Sequence, residues 1–372
     1  MKSLAVLALS AIVSPGVWAR PADGVEKFLI ETAPGQTRWV TEAEKWKLKE
    51  QDVNFFDITD SPEDDFTVAA EQIVAQFPSQ LRYAAEVKPL FSKLSAATMR
   101  RDLEKFSSFH NRYYRAQTGV QSAEWLFDQV SDIVRRSGAR GATVQKIKHS
   151  FIQPSIVATI PGKSRNTIVV GAHQDSINGR QPSGRAPGAD DDGSGSVTIL
   201  DSLRVLLSSP KIARGEGENT IEFHWYAGEE AGLLGSQDIF RQYRAARKPV
   251  KAMLNQDMTG YTRGRESAGL PEAFGVVTDF TTPALTAFTR LVIREYTDIA
   301  FVDDTCGYAC SDHASASRNG FPSAYVHESD GRHDNPYIHT TEDTIEKLNF
   351  NHMVKHGQMI VGWLYELAFA RL

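Results

Sequence analysis

Glu229 and Glu230 close an apolar, alternating stretch, Ile221-Glu-Phe-His-Trp-Tyr-Ala-Gly-Glu-Glu230. A carboxylate pair at such a point can divide labour, because different surroundings let one hold a metal while its neighbour handles a proton. Alone, the pair would equally well open a solvated helix. Four other segments change that weighing: Gly171-Ala-His173-Gln-Asp175, Pro187-Gly-Ala-Asp190-Asp191-Asp192-Gly-Ser-Gly, Asn255-Gln-Asp257-Met-Thr-Gly and Asn335-Pro-Tyr-Ile-His339-Thr-Thr-Glu-Asp343. His173, an aspartate of the triplet, Glu230, Asp257 and His339 make a nitrogen and oxygen set suited to zinc and related divalent metals. In the triplet, capping of the following helix accounts for one carboxylate. The other two are held close together in a glycine-rich loop, which disfavours ionisation unless a cation is near.

The elements that must position these groups are legible as well. Thr167-Ile-Val-Val170 is a compact buried strand running into His173; Ile221, Phe223 and Trp225 alternate along a second strand that delivers Glu229 and Glu230; Val250-Lys-Ala-Met-Leu254 delivers Asp257. Val197, Leu200, Leu203 and Leu207 share one face of a helix after the triplet. Beyond residue 100, strands alternate with amphipathic helices, predicting an α/β fold with a largely parallel sheet. Three strands then release His, Glu and Asp from their carboxyl ends, where open α/β sheets bind ligands.

Residues 1–19 read as a secretory signal peptide, with Lys2, an apolar run from Leu4 to Val13 and small residues before a cut after Ala19. The apolar run is too short for a membrane span and no later segment offers one, so the product is expected to be soluble, secreted and extracellular. Residues 20–79 hold 13 Asp or Glu against 6 Lys or Arg, while the chain as a whole has a net charge of only −5. The acidic leader also carries Phe28, Trp39, Trp46, Phe55, Phe56 and Phe66, so it is expected to pack as a propeptide rather than stay disordered. A permanent N-terminal subdomain is the alternative. Residues 80–372 are nearly neutral and fit one large globular domain, with no basic footprint for nucleic acid. The two cysteines, Cys306 and Cys310, are expected to form a local disulfide in an exported protein, shaping the backbone around Tyr308.

Taken together, Gly171-Ala-His-Gln-Asp-Ser, Pro187-Gly-Ala-Asp-Asp-Asp-Gly-Ser-Gly, Tyr226-Ala-Gly-Glu-Glu-Ala-Gly-Leu-Leu-Gly-Ser, Gln256-Asp-Met-Thr-Gly-Tyr, Cys306-Gly-Tyr-Ala-Cys-Ser-Asp-His and Ile338-His-Thr-Thr-Glu-Asp-Thr resemble the secreted leucine aminopeptidases with a co-catalytic di-zinc site, the fungal enzymes above all. The likeness covers roughly residues 80–372. It implies a single zinc-peptidase domain, three-layer α/β/α with a mostly parallel mixed sheet. It implies two Zn²⁺ per chain, held by His173, Glu230, Asp257 and His339 with His paired to Asp on one ion and to Glu on the other, and bridged by Asp191. Glu229 matches the general base, Tyr308 a tyrosine beside the scissile carbonyl, and Asp175 a carboxylate that orients the His173 imidazole. The Asp191–Asp192 peptide is cis in the family. It implies peptide substrates with a free N-terminus; the propeptide is expected to act as an inhibitor or folding aid, and a monomer is expected.

One stretch departs from the pattern. His327 stands where relatives carry phenylalanine, and Gly331 where another aromatic is usual, although Met258 and Ile338 still offer apolar surface to the first side chain. Two other readings share this fold, a non-catalytic receptor-type ectodomain and a single-zinc glutaminyl cyclase. The full ligand set argues against the first; retention of Asp191 and Asp257 argues against the second. A serine hydrolase lacks its Gly-x-Ser-x-Gly elbow here.

Overall fold

The computed structural model of the protein describes residues 24–51, 53–61 and 76–372. The signal-peptide reading of residues 1–19 lies outside them, as do Phe66 and its neighbours. What is described of the leader is a small folded unit. Strands β1 (Phe28–Ala33), β2 (Gln36–Val40) and β3 (Phe56–Asp57) form an antiparallel sheet in the order β2-β1-β3. Between β2 and β3 runs the helix Glu42–Lys49, started by a capping box in which the Thr41 hydroxyl and the Glu44 carboxylate each accept the other's backbone N–H. Its acidic first turn and basic last turn agree with the helix dipole.

The leader folds because its aromatic and apolar residues are buried against the rest of the chain. Trp46 meets Tyr113 edge-on at 5.8 Å in a cluster with Tyr114, Ile177 and Ala231. Phe56 joins Leu233, Ala309 and Ala314. The Asp57 N–H donates to the Gly232 carbonyl at 3.0 Å, and the buried Lys45 pairs with the Asp57 carboxylate at 2.7 Å.

The remaining strands, β4 (Thr143–Ile147), β5 (Ser155–Ile160), β6 (Thr167–His173), β7 (Thr220–Tyr226), β8 (Val250–Asn255), β9 (Ala273–Val277), β10 (Ala300–Asp304) and β11 (Ser323–His327), form one mixed sheet in the order β10-β9-β11-β8-β6-β7-β5-β4. The centre, β11-β8-β6-β7, is parallel, as is β10-β9; the β9-β11, β7-β5 and β5-β4 pairings are antiparallel. Helices cover both faces, which is why β6 is buried at every position and reads as an unbroken apolar run. Strand periodicity separates the two cores. Ile221, Phe223 and Trp225 of β7 face a large core with the helices Gly193–Leu206 and Phe350–Phe369, whereas Tyr226 faces a smaller one with Ile239 and Phe240. Each such apolar side chain, fully buried, contributes about 1.5–3 kcal/mol. Gly171 in β6 is required by close approach: a Cβ there would lie 2.4 Å from the Tyr226 ring.

This register positions the site. Gly171 pairs with Asn255 and His173 with Tyr226, so the carboxyl ends of β6, β7 and β8 finish level with one another. Among the described residues no helix is long and apolar enough to cross a membrane.

Candidate metal centre

His173, the last residue of β6, sits with its Nε2 3.0 Å from Asp191 Oδ1 and 3.5 Å from Asp257 Oδ1. His339 Nε2 lies 2.9 Å from Asp191 Oδ2 and 3.1 Å from Glu230 Oε2. The donor atoms therefore form two trios, His173–Asp191–Asp257 and Asp191–Glu230–His339, each with its atoms within 4.8 Å of one another. Asp191 belongs to both, one oxygen to each side.

The aspartate triplet divides into three tasks. Asp192 caps the helix Gly193–Leu206 by accepting the Gly195 N–H at 2.9 Å, and it also accepts the N–H of His173 at 3.1 Å and of Met258 at 3.0 Å. One cap thus ties the ends of β6 and β8 together. Asp190 turns away to accept Gly260 N–H and the Asn335 amide. Asp191 is left facing the site, its own N–H and that of Asp190 donating to Asp343. The Asp191–Asp192 peptide is cis, as the resemblance implied.

Behind the donors stands a second set of polar contacts. Asp175 accepts the N–H of Glu229 at 3.0 Å and of Glu230 at 3.3 Å, fixing the glutamate pair. Its oxygen is also 3.5 Å from His173 Nδ1, an ionic contact rather than an aligned hydrogen bond. The Ser311 hydroxyl donates to Asp257 at 2.6 Å. The buried Arg112 donates to the carbonyls of Gln174, Pro187 and Gly188, clamping the loop after β6 to the loop before the triplet. Burial, then the charge of Asp190, pushes the Asp343 carboxyl up to about 8. Met258 and His339 adopt left-handed backbone, φ 58° and 54°, strain that non-glycine residues keep only where their surroundings dictate it.

Glu229 is buried beside these trios and belongs to neither. Burial pushes its carboxyl well above the usual range. With Asp191, Glu230, Asp257 and His339 it lines a cavity of about 1090 Å³ whose other walls include Met258, Ile338, His327 and Gly331. The apolar and departing residues expected at the first-side-chain pocket thus all line the same cavity. Tyr308 is placed differently: its hydroxyl donates to Glu31 of the leader at 2.8 Å, and its ring packs against Phe56. The Cys306–Cys310 disulfide is formed and borders the same cavity.

The donor set fits divalent metal. Both Glu230 oxygens are buried without a hydrogen bond, a costly arrangement that a bound cation beside them would relieve. A further group, His327, Glu328 and Asp334, also converges, but Glu328 accepts the N–H groups of Gly260, Tyr261 and Asn335 and is satisfied by them.

Sequence reasoning missed Lys49, Arg112, Ser311 and the role of Asp343. Lys49 Nζ reaches in from the leader to 3.8 Å from Glu229 Oε2 and 3.8 Å from Glu230 Oε2. Nothing local marks it among the leader's other lysines. Asp343 could have been found as a carboxylate four residues after His339.

A match to the model of peptidase family M28 spans residues 155–364, more than half the chain, and includes all five donors and Glu229. The chain belongs to peptidase family M28. Leucine aminopeptidase 1 of Arthroderma otae is 56% identical over 99% of this chain and 100% of its own length; Leucine aminopeptidase 1 of Coccidioides posadasii is 54% identical over 100% of both. Among solved structures, the Legionella pneumophila LapA aminopeptidase is similar with a TM-score of 0.79 and 29% identity, covering 90% of this chain and 92% of its own. That coverage exceeds what residues 80–372 supply, so it extends into the leader. Glutaminyl cyclase of Bacteroides thetaiotaomicron, at 16% identity and a TM-score of 0.60, shares the fold alone. Peptidases of family M28 are metal-dependent, typically on zinc.

Proposed function

We propose that the protein is a secreted zinc aminopeptidase, made as a precursor, that releases the N-terminal residue of peptides. The observation that carries the reading is the two-sided Asp191 between two histidine and carboxylate trios, with Glu229 beside them and in neither. His173 and Asp257 would hold one zinc, His339 and Glu230 the other, with Asp191 shared. Zinc held by these residues would supply Lewis acidity, lowering the pKa of a water and polarising the substrate carbonyl. Glu229 takes the proton of the attacking water and returns it to the leaving amine. Its position beside the two trios, belonging to neither, leaves it free for that task. The two glutamates accept a cationic group at close range, since the Lys49 ammonium lies 3.8 Å from each, and a substrate with a free α-ammonium group would suit the same cavity. Tyr308 would reach the scissile carbonyl once Glu31 is gone, and Asp175 keeps the glutamates and His173 in place.

The test is metal analysis of the processed protein beside release of N-terminal residues from a peptide panel, run before and after leader removal. Two zinc equivalents, activity lost on chelation and restored by zinc, silence toward N-acetylated peptides and a much slower precursor are expected. Turnover that survives exhaustive chelation would overturn the metal reading, and a precursor as fast as the processed form would remove the leader's restraining role.

The first-residue pocket has an unusually polar wall. His327 Nδ1 lies 2.8 Å from the Asp257 carbonyl and 2.9 Å from the Tyr325 hydroxyl, and its Nε2 lies 3.0 Å from Asp334. Burial opposes the imidazolium, but Asp334 outweighs it and pushes the pKa up to about 10. In the same lining, the Gly331 N–H donates to the Asp304 carboxylate. A leucine side chain gains less here than the 1.5–3 kcal/mol of full apolar burial. His327→Phe is expected to raise discrimination for leucine over lysine and glutamate by about 1 kcal/mol. Comparing kcat/KM for leucine, methionine, lysine and glutamate amides in both proteins decides it; an unchanged, strong leucine preference would show that other side chains rebuild the wall.

A further inference from the structure

Lys49 is the last residue of the leader helix Glu42–Lys49, and its buried ammonium is directed at the site. Glu229, Glu230, Asp191 and Asp257 surround the same cavity. Four buried carboxylates need compensating positive charge, and the described leader supplies a full unit of it at 3.8 Å from two of them. The delivery is rigid. Trp46, one turn earlier, is locked against Tyr113, and the buried Lys45–Asp57 pair fixes the helix to β3. A helix carboxyl end is also where a cation is favoured. The leader takes a second group of the site as well, since Glu31 accepts the Tyr308 hydroxyl.

We infer that Lys49 is a built-in counter-cation for the metal-binding carboxylates, so that seating of the leader and loading of metal at Glu230–His339 oppose each other. This rests on the metal reading above. While the leader is seated, the ammonium neutralises the charge that would attract a dication and repels the dication directly at short range. Thermodynamic linkage makes the effect reciprocal: if Lys49 weakens metal binding by some factor, metal weakens leader docking by the same factor. Metal arrival then becomes a signal that loosens the leader, and a precursor that meets little zinc keeps its carboxylates paired.

The experiment uses the full-length chain. Parent, Lys49→Met, Lys49→Gln, Lys49→Arg and the exposed control Lys47→Met are titrated with zinc against a chromogenic chelator, each first checked for a parent-like melting transition. Lys49→Met and Lys49→Gln are expected to bind the weaker zinc about 10-fold tighter or more, within the usual range of coupling between sites. Lys49→Arg and Lys47→Met should match the parent. Hydrogen exchange of the amides in helix Glu42–Lys49 gives the reciprocal reading and needs no variant: zinc should speed exchange in the parent and leave Lys49→Met unaffected. Equal zinc affinity in the parent and both neutral variants overturns this inference alone. Zinc that fails to speed exchange in the parent overturns it too. Absence of zinc binding in every protein overturns it together with the metal reading.

Discussion

Glu229→Gln is expected to keep both metals and lose nearly all turnover, with kcat of the processed enzyme falling about 10²–10⁴-fold, the usual contribution of a positioned acid–base group. Glutamine retains the shape of the side chain, and the backbone N–H of residue 229 still donates to Asp175. What it loses is the ability to accept a proton. Because Glu229 belongs to neither donor trio, His173, Asp191, Glu230, Asp257 and His339 remain to hold metal in the variant. Zinc content and kcat measured on the same preparation separate the two roles. A rate near that of the parent would remove Glu229 from the chemistry, and loss of zinc would recast it as a ligand.

The second large effect is expected at Asp191. Asp191→Ala removes the carboxylate that faces both His173 and His339, so the zinc content should fall from two to at most one and turnover by about 10³-fold, since metal charge stabilisation is worth several kcal/mol. Asp190→Asn is the informative control. Asp190 is spent on Gly260 and Asn335, and its amide variant should cost some stability while keeping two metals. A variant at Asp191 that still carried two zincs would show that the trios are bridged by something else. These outcomes discriminate between the three neighbouring aspartates, which composition alone treats alike.

Much of the frame was legible before any coordinates. The strand predicted at Thr167–Val170 exists and runs on to His173, because burial on both faces and parallel partners on both sides stabilise extended backbone up to the loop. The helix face of Val197, Leu200 and Leu203 is core, and the disulfide pairing is as expected. The acidic leader was expected to pack, and its described part does so through Trp46 and Phe56. Tyr308 shows where such reading stops. Its residue type matches a substrate-side tyrosine, yet its hydroxyl is occupied by Glu31, 277 positions away along the chain.

The division between sequence and tertiary structure follows the range of the forces involved. Periodicity, turn chemistry and capping act over a few residues, so the chain by itself marked the three site-bearing strands, at Thr167–Val170, Ile221–Trp225 and Val250–Leu254, and the His, Glu and Asp that follow their carboxyl ends, but not the other strands of the two sheets. Only the fold decided that donors separated by long loops meet, because the order β8-β6-β7 and its register bring those ends level. The same holds for Lys49. A lysine in an acidic leader carries no local mark, and its place between Glu229 and Glu230 comes from a rigid helix docked across the site, where buried carboxylates draw the nearest cation that the packing can deliver.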